Sequence, residues 1–379
     1  MGNQHNEENA LILRKYSRWL IGSAGYAEST TNVKLKDVVE FDRKLNGKDF
    51  RKLNEDIAVK YKELLRKREW KGKPIGLKTL NQKLKSINEF YTWLRLQPGY
   101  RVTVNEYAIG FLSLSKGERR AIKTQKNLKK IPTKKDILKL IDSIKGDTEV
   151  ALRDKALISL ISMTGLRVKA VTTLKLGDFD INMLRITLDP LHGAKTKASK
   201  AFRVGLIVFD KKLLDHVLSW IDYLKSVKNF TTNDPIFPMT DLKRLPGSFS
   251  YIATDIKAKA WKSPGAISKI FKDRSKEAGL EYYNPHSYRD TLYQLCKSLG
   301  LSVKQLSVIS KNLGQNNLFI AEESYSGMEP DTILNEISEI DFTKPVHNKL
   351  ELKVDSMDLK IDILLREVKN RPSKNDDSD

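Results

Sequence analysis

The sequence predicts a mainly α protein in two domains, the second carrying a small antiparallel β-hairpin, an α+β arrangement. Three observations carry that expectation. Apolar residues recur at three- and four-residue spacing over long stretches in both halves of the chain. Only two short runs, MLRITL at 183–188 and FRVGLIV at 202–208, are rich in β-formers, and they flank a single polar loop. Between the halves, residues 112–132 lose apolar periodicity and carry seven Lys or Arg against one acid, the composition of a basic linker. At 379 residues with 40% apolar, the chain is long enough for two buried cores.

Residues 1–111 read as a helical domain. EENALILRKYSRWLIG places Leu11, Leu13, Tyr16, Trp19 and Leu20 among polar residues and ends at Gly22. A second helix starts at Asn54 as cap and buries Ile57, Tyr61, Leu64 and Leu65. A third keeps Leu77, Leu80, Leu84, Ile87, Tyr91 and Leu94 on one stripe and stops at Pro98 and Gly99. The polar faces carry Lys60, Lys62, Arg66, Lys67, Lys78, Lys83 and Lys85. Together these cations read as a face that tracks phosphates.

The second domain, 133–328, opens with Thr133 capping KKDILKLIDSIKG. VALRDKALISLISMTG buries Ala156, Leu157, Leu160 and Ile161 and delivers Arg167 at a Thr-Gly turn. The hairpin follows, with the basic loop DPLHGAKTKASKA between its strands. KKLLDHVLSWIDYLKSV then buries Leu213, Leu214, Val217, Trp220, Ile221 and Leu224. NDPIFPMTDLKRLPGS, with three prolines, reads as a loop before AISKIFKDRSKEAG, whose Lys269, Lys272, Arg274 and Lys276 are expected to face a polyanion. PHSYRD opens the next helix, where His286 and Arg289 stand three apart and share a face able to offer an imidazole and a guanidinium fork to one anion. LSVKQLSVISKNLG packs Leu301, Val303, Leu306 and Ile309 and ends at Gly314. Residues 329–379 form a C-terminal helical segment in which Leu350, Val354, Met357, Ile361, Leu364 and Val368 alternate four- and three-residue spacing, a seam that wants a partner, and end in a polar tail.

Lys and Arg total 68 against 47 Asp and Glu, a net charge of +21, and that excess favours nucleic acid as partner. The single cysteine, Cys296, excludes an intrachain disulfide and a cysteine-based zinc site, and its spacing with Leu292 and Leu299 makes it a small buried apolar residue. No apolar run approaches eighteen residues and no leader precedes the first helix, so the expectation is an intracellular, cytoplasmic protein. His192 lacks a partner at ligand spacing and reads as a turn residue, and His216 as structural.

Taken in order, TGLR, then KT in a hairpin, then HSYR, then LGQ with a tyrosine ten residues on, resemble the tyrosine recombinases, or phage integrase family. The resemblance implies a helical core-binding domain and a catalytic domain that close as a clamp on double-stranded DNA. It implies a site-specific recombinase that needs neither metal nor nucleotide cofactor, and homo-oligomers, tetramers on paired sites. Carried over residue by residue, it gives Arg167 and Arg289 the scissile phosphate and Lys195 the proton for the departing 5′ oxygen, with Lys197 and Lys200 as alternatives. His286 manages the proton of the nucleophile or donates to a nonbridging oxygen, Gln315 donates to a phosphate oxygen, and Tyr325 attacks. Tyr282, Tyr283, Tyr288 and Tyr293 lie near in sequence, and spacing from LGQ selects Tyr325. Two positions depart from the family pattern. Ala170 stands where an acid is common, so another group must orient Arg167, and Gln315 replaces a histidine, so it cannot carry charge or exchange a proton. Two other readings stay open: a type IB topoisomerase-like strand-swivelling enzyme, and a DNA-binding architectural protein derived from a recombinase.

Overall fold

The computed structural model describes residues 6–70, 72–124, 130–194, 196, 201–244, 251–314 and 329–344. The chain divides into two compact units, Met1–Leu128 and Lys129–Asp379. Both are built mainly from helices, with short antiparallel strands. No helix among the described residues is long and apolar enough to cross a membrane.

The first unit holds α1 (Glu7–Gly22), α2 (Glu28–Lys44), α3 (Glu55–Lys67), α4 (Leu77–Leu94), α5 (Glu106–Phe111) and α6 (Lys116–Thr124). Asn54 caps α3 as its sequence predicts, its side chain accepting the Ile57 N–H. A two-residue ribbon, β1 (Glu69–Trp70) with β2 (Lys73–Pro74), joins α3 to α4. The core centres on Tyr16, Phe41, Phe50, Phe90 and Tyr91, stacked edge to face. Helix α2 carries no apolar stripe legible in the sequence, because its buried face of Thr31, Lys34, Asp37, Val38 and Phe41 mixes polar with apolar residues. Asp37 is buried because Lys83 and the Ser86 hydroxyl donate to it, each at 2.9 Å. Two core assignments shift. Leu11 and Leu64 are half exposed or more, and in α1 the buried stripe runs through Ile12, Tyr16 and Leu20. Segment 112–132 is more structured than its composition suggests: Leu112 and Leu114 enter the first core, and α6, buried nowhere along its length, follows.

The second unit opens with α7 (Lys134–Ser143), capped by Thr133 in a reciprocal box with Asp136, and α8 (Glu149–Thr164). Then come the single turn α9 (Val168–Val171), a three-stranded antiparallel sheet β3 (Phe179–Asp180), β4 (Arg185–Leu188), β5 (Phe202–Gly205), and α10 (Lys211–Ser226). Ile186 pairs with Val204, both fully buried. Helix α8 is buried on every side from Ala156 to Thr164 and is the axis of this unit.

The region read as a proline-rich loop is instead a ribbon, β6 (Met239–Arg244) with β7 (Tyr251–Lys257). Pro235 and Pro238 precede β6, so they remove no donor from its ladder, and the alternation in YIATDIK suits a strand. Helices α11 (Gly265–Glu277), α12 (Ser287–Ser298), α13 (Val303–Asn312) and α14 (Pro330–Glu339) complete the unit. Helix α14 packs on β5 and α13 through Leu334 and Ile337, with ion pairs Arg203–Asp331 and Lys304–Glu336. The apolar seam of 350–368 lies outside the described residues.

Candidate active site

The site is built where two helices meet a turn. Helix α8 ends at Gly165, whose left-handed backbone (φ 58°) turns the chain sharply. Leu166 is buried behind the turn, and Arg167 follows as the N-cap residue of α9, its carbonyl accepting the N–H groups of Ala170 (2.8 Å) and Val171 (3.2 Å). Opposite, α12 carries Arg289, which is only 3% exposed. The Arg289 Nε donates to the Gly165 carbonyl at 2.9 Å. A carbonyl freed at the C-terminus of one helix thus fixes the guanidinium of another, two residues from Arg167 in the chain.

Glycine is required at this contact. A Cβ at position 165 would lie 3.1 Å from Leu313 Cδ2 and 3.2 Å from Cα and Cβ of Arg289. Close approach of α8 to α12 and of the end of α13 therefore depends on a missing side chain. Burial, and next the Arg167 guanidinium, push Arg289 down to about 10, which still leaves Arg289 charged at neutral pH. Among the described residues no carboxylate forms an ion pair with either one. Ala170, where the family often has an acid, is 4% exposed and packs in the core.

His286 has helical dihedrals (φ −65°, ψ −25°) as the N-cap residue of α12, so the expected three-residue spacing to Arg289 is kept on one helical winding. Its backbone N–H donates to the Asn284 side chain, and the residue is exposed, whereas Arg289 is buried. The entry of α12 after Pro285 thus leaves His286 at the surface, while Arg289 is buried with its Nε against the end of α8. The structure therefore brings Arg167 and Arg289 to one turn and puts His286 one turn of helix from Arg289. Lys195, Lys197, Lys200, Gln315 and Tyr325 lie outside the described residues.

Several residues that hold this arrangement carry no motif in the sequence. Asn312 grips β5 as a strand would, its Oδ1 accepting the Gly205 N–H (2.8 Å) and its Nδ2 donating to the Gly205 carbonyl (2.9 Å). That pair fixes the end of α13 against the sheet. The Lys175 ammonium donates to the His192 carbonyl at 3.2 Å, at the foot of the loop that leads to position 195. Asp154, 2% exposed, accepts from Arg153 through one oxygen and from Arg274 through the other. Arg274, expected to face a polyanion, is thereby drawn inward to join α11 to α8. Only a partner at the right place in space reveals such a charge, and nothing in local sequence announces it. In the first unit Lys83 and Lys62 are similarly committed, Lys83 to Asp37 and Glu40 and Lys62 to the carbonyls of Phe111 and Ser113, and Arg66 pairs with Glu118. Lys60, Lys67, Lys78 and Lys85 stay exposed.

These features define a helical catalytic unit with a paired-arginine turn, and the profile of the phage integrase family matches residues 130–325. Since that match spans more than half of the chain, the protein belongs to the phage integrase family, the tyrosine recombinases. Solved structures share the fold. The integrase of transposon Tn1549, in complex with transposon right end DNA, aligns at TM-score 0.52 and 14% identity over 92% of this chain and 99% of that one. A lambda integrase (75–356) dimer bound to a COC′ core site aligns at TM-score 0.50 and 12% identity over 90% and 96%.

Proposed function

We propose that the protein is a site-specific DNA recombinase that cuts and rejoins strands through a covalent link to Tyr325. The observation that carries this reading is the pair of guanidinium groups at the Gly165 turn, one buried and one half-buried, with no carboxylate paired to them among the described residues. Two like charges held close in a partly desolvated place are costly unless an anion joins them, and a phosphodiester is the anion that family membership supplies. Fork geometry suits them to the nonbridging oxygens.

In the reaction, the Tyr325 hydroxyl oxygen attacks phosphorus as its proton passes to His286. The phosphorus–O5′ bond breaks, and Lys195, or Lys197 or Lys200 in its place, protonates the departing 5′ oxygen. The strand's 3′ phosphate is then joined to tyrosine, and the 5′ hydroxyl of a partner strand reverses the step, so no bond energy is lost. Arg167 and Arg289 stabilise the added charge on the pentacoordinate phosphorus. Gln315 donates an amide N–H to a nonbridging phosphate oxygen without adding charge. Double-stranded DNA is the substrate, and four protomers on paired sites are the expected assembly.

A nicked suicide duplex tests this reading. A covalent adduct that is absent in Tyr325→Phe supports it. Tight duplex binding with no adduct would assign the chain to the DNA-binding architectural class, which the buried Ala170 and the uncharged Gln315 favour. Relaxation of supercoiled DNA by a monomer without synapsis would assign it to strand swivelling.

A further inference from the structure

We propose that the β6–β7 ribbon is a second DNA-contacting element of the catalytic unit, an arm that holds duplex phosphates outside the nucleotides that are cut. The proposal rests on the recombinase reading for the identity of its ligand. Its own support is the way the ribbon is built.

A two-stranded ribbon is marginal by itself. This one pairs with no third strand among the described residues, and of its side chains Ile256 reaches the core. What holds it is a set of buried polar groups at its base. Arg153, 1% exposed, donates to the Pro238 carbonyl (3.1 Å) and to the Thr240 hydroxyl (2.9 Å), and its guanidinium lies 5.0 Å from the centre of the Trp261 ring. The Ile256 N–H donates to Glu149 at 2.8 Å, and the Met239 N–H to the Lys259 carbonyl at 2.8 Å. A buried, paired guanidinium is an expensive way to secure a surface loop, and it is suited to keeping a projecting element rigid. Rigidity at the base matters for an arm that must meet its ligand without an entropic cost.

The chemistry of the ribbon indicates what it meets. From 239 to 262 the chain has Lys243, Arg244, Lys257, Lys259 and Lys262 against Asp241 and Asp255. Arg244, Lys257, Lys259 and Lys262 are exposed, Lys257 while paired with Asp241 at 2.7 Å. A ribbon of two strands also has the width that a B-DNA major groove admits. Glu149, which anchors β7, opens α8, and the arginine turn closes that helix. Sixteen residues of helix separate them by about 24 Å, or roughly seven base pairs if measured along a duplex. The contacts would therefore fall well away from the scissile phosphate.

The test compares the intact protein with Lys257→Gln/Lys259→Gln/Lys262→Gln and with Asp241→Asn, on two duplexes. On a long duplex, the triple variant is expected to bind about tenfold more weakly at fixed salt, with the slope of log affinity against log salt flattened by about 2 to 3. Asp241→Asn is expected to bind more tightly, a change that misfolding would not produce. On a nicked duplex trimmed to a few base pairs around the cut, all three should form adduct equally. Unchanged affinity and slope would overturn the proposal. So would a shift in the size of the free protein by light scattering with unchanged duplex affinity, which would give the open strand edges to a second copy. If no adduct forms with any protein, the recombinase reading fails, and the ribbon is decided by the long-duplex affinities alone.

Discussion

At the Gly165 turn a single hydrogen atom in place of a methyl group lets three helices meet. Gly165→Ala combines a left-handed backbone, disfavoured for any residue with a Cβ, with contacts of 3.1–3.2 Å to Leu313 and Arg289. We expect a stability loss of about 1–3 kcal/mol, read as a lower denaturation midpoint, with a larger loss of adduct formation because the Arg289 backbone must shift. Gln315 gives the opposite kind of test. Its amide can donate but not exchange a proton, so Gln315→His should leave cleavage of the nicked duplex equal or faster, and a large loss would remove Gln315 from the site. Cys296, on the buried face of α12 with its thiol pushed up to about 12 by burial, is inert at neutral pH, as its apolar spacing implies.

At the scale of elements, the catalytic unit is held by buried charge as well as by apolar packing. Asp154 neutralises Arg153 and Arg274 and so ties α8 to α11 and, through Arg153, to the ribbon. Asp154→Ala would leave a fully buried guanidinium without its counterion and is expected to cost about 3–5 kcal/mol, measured by chemical denaturation. Glu149 gives a pH signature. Burial alone would raise its carboxyl, but Lys228, the Ile256 N–H and the Tyr223 hydroxyl outweigh burial and hold it below its ordinary value of 4.5. A carboxyl lowered in the folded state contributes stability that is present above 4.5 and lost as pH falls through the folded value. The difference in Tm between the protein and Glu149→Gln should therefore be largest near neutrality and close on acidification; a difference that widened in acid would contradict the assignment.

At the scale of the molecule, an excess of 21 positive charges is spread over both units, but part of it is spent internally, as Lys83, Lys62 and Arg274 demonstrate. What remains exposed is the electrostatic footprint for a polyanion. Assembly is a separate matter. Helix α14 packs on β5 and α13 of its own unit, while the heptad-like seam that follows in the sequence has its apolar stripe to satisfy. Removing 346–379 should lower the size of complexes on DNA by light scattering without abolishing duplex binding; an unchanged size would take association away from this segment.

By itself the sequence determined what depends on local spacing. It set the helices and their caps at Asn54 and Thr133, the β4–β5 hairpin, the turn that delivers Arg167, and the ordered motifs that mark the family. These are short-range properties, encoded in periodicity, capping residues and the position of glycine. Tertiary structure alone decided which polar residues would be buried. Helix α2 hides Asp37 because Ser86 and Lys83 reach it, the ribbon replaced an expected loop because Arg153 and Glu149 secure it, and Arg274 turned inward because Asp154 awaits it. A charged side chain reads as surface until its partner, 46 to 120 residues away in these pairs, is brought beside it, and only the folded chain sets that distance.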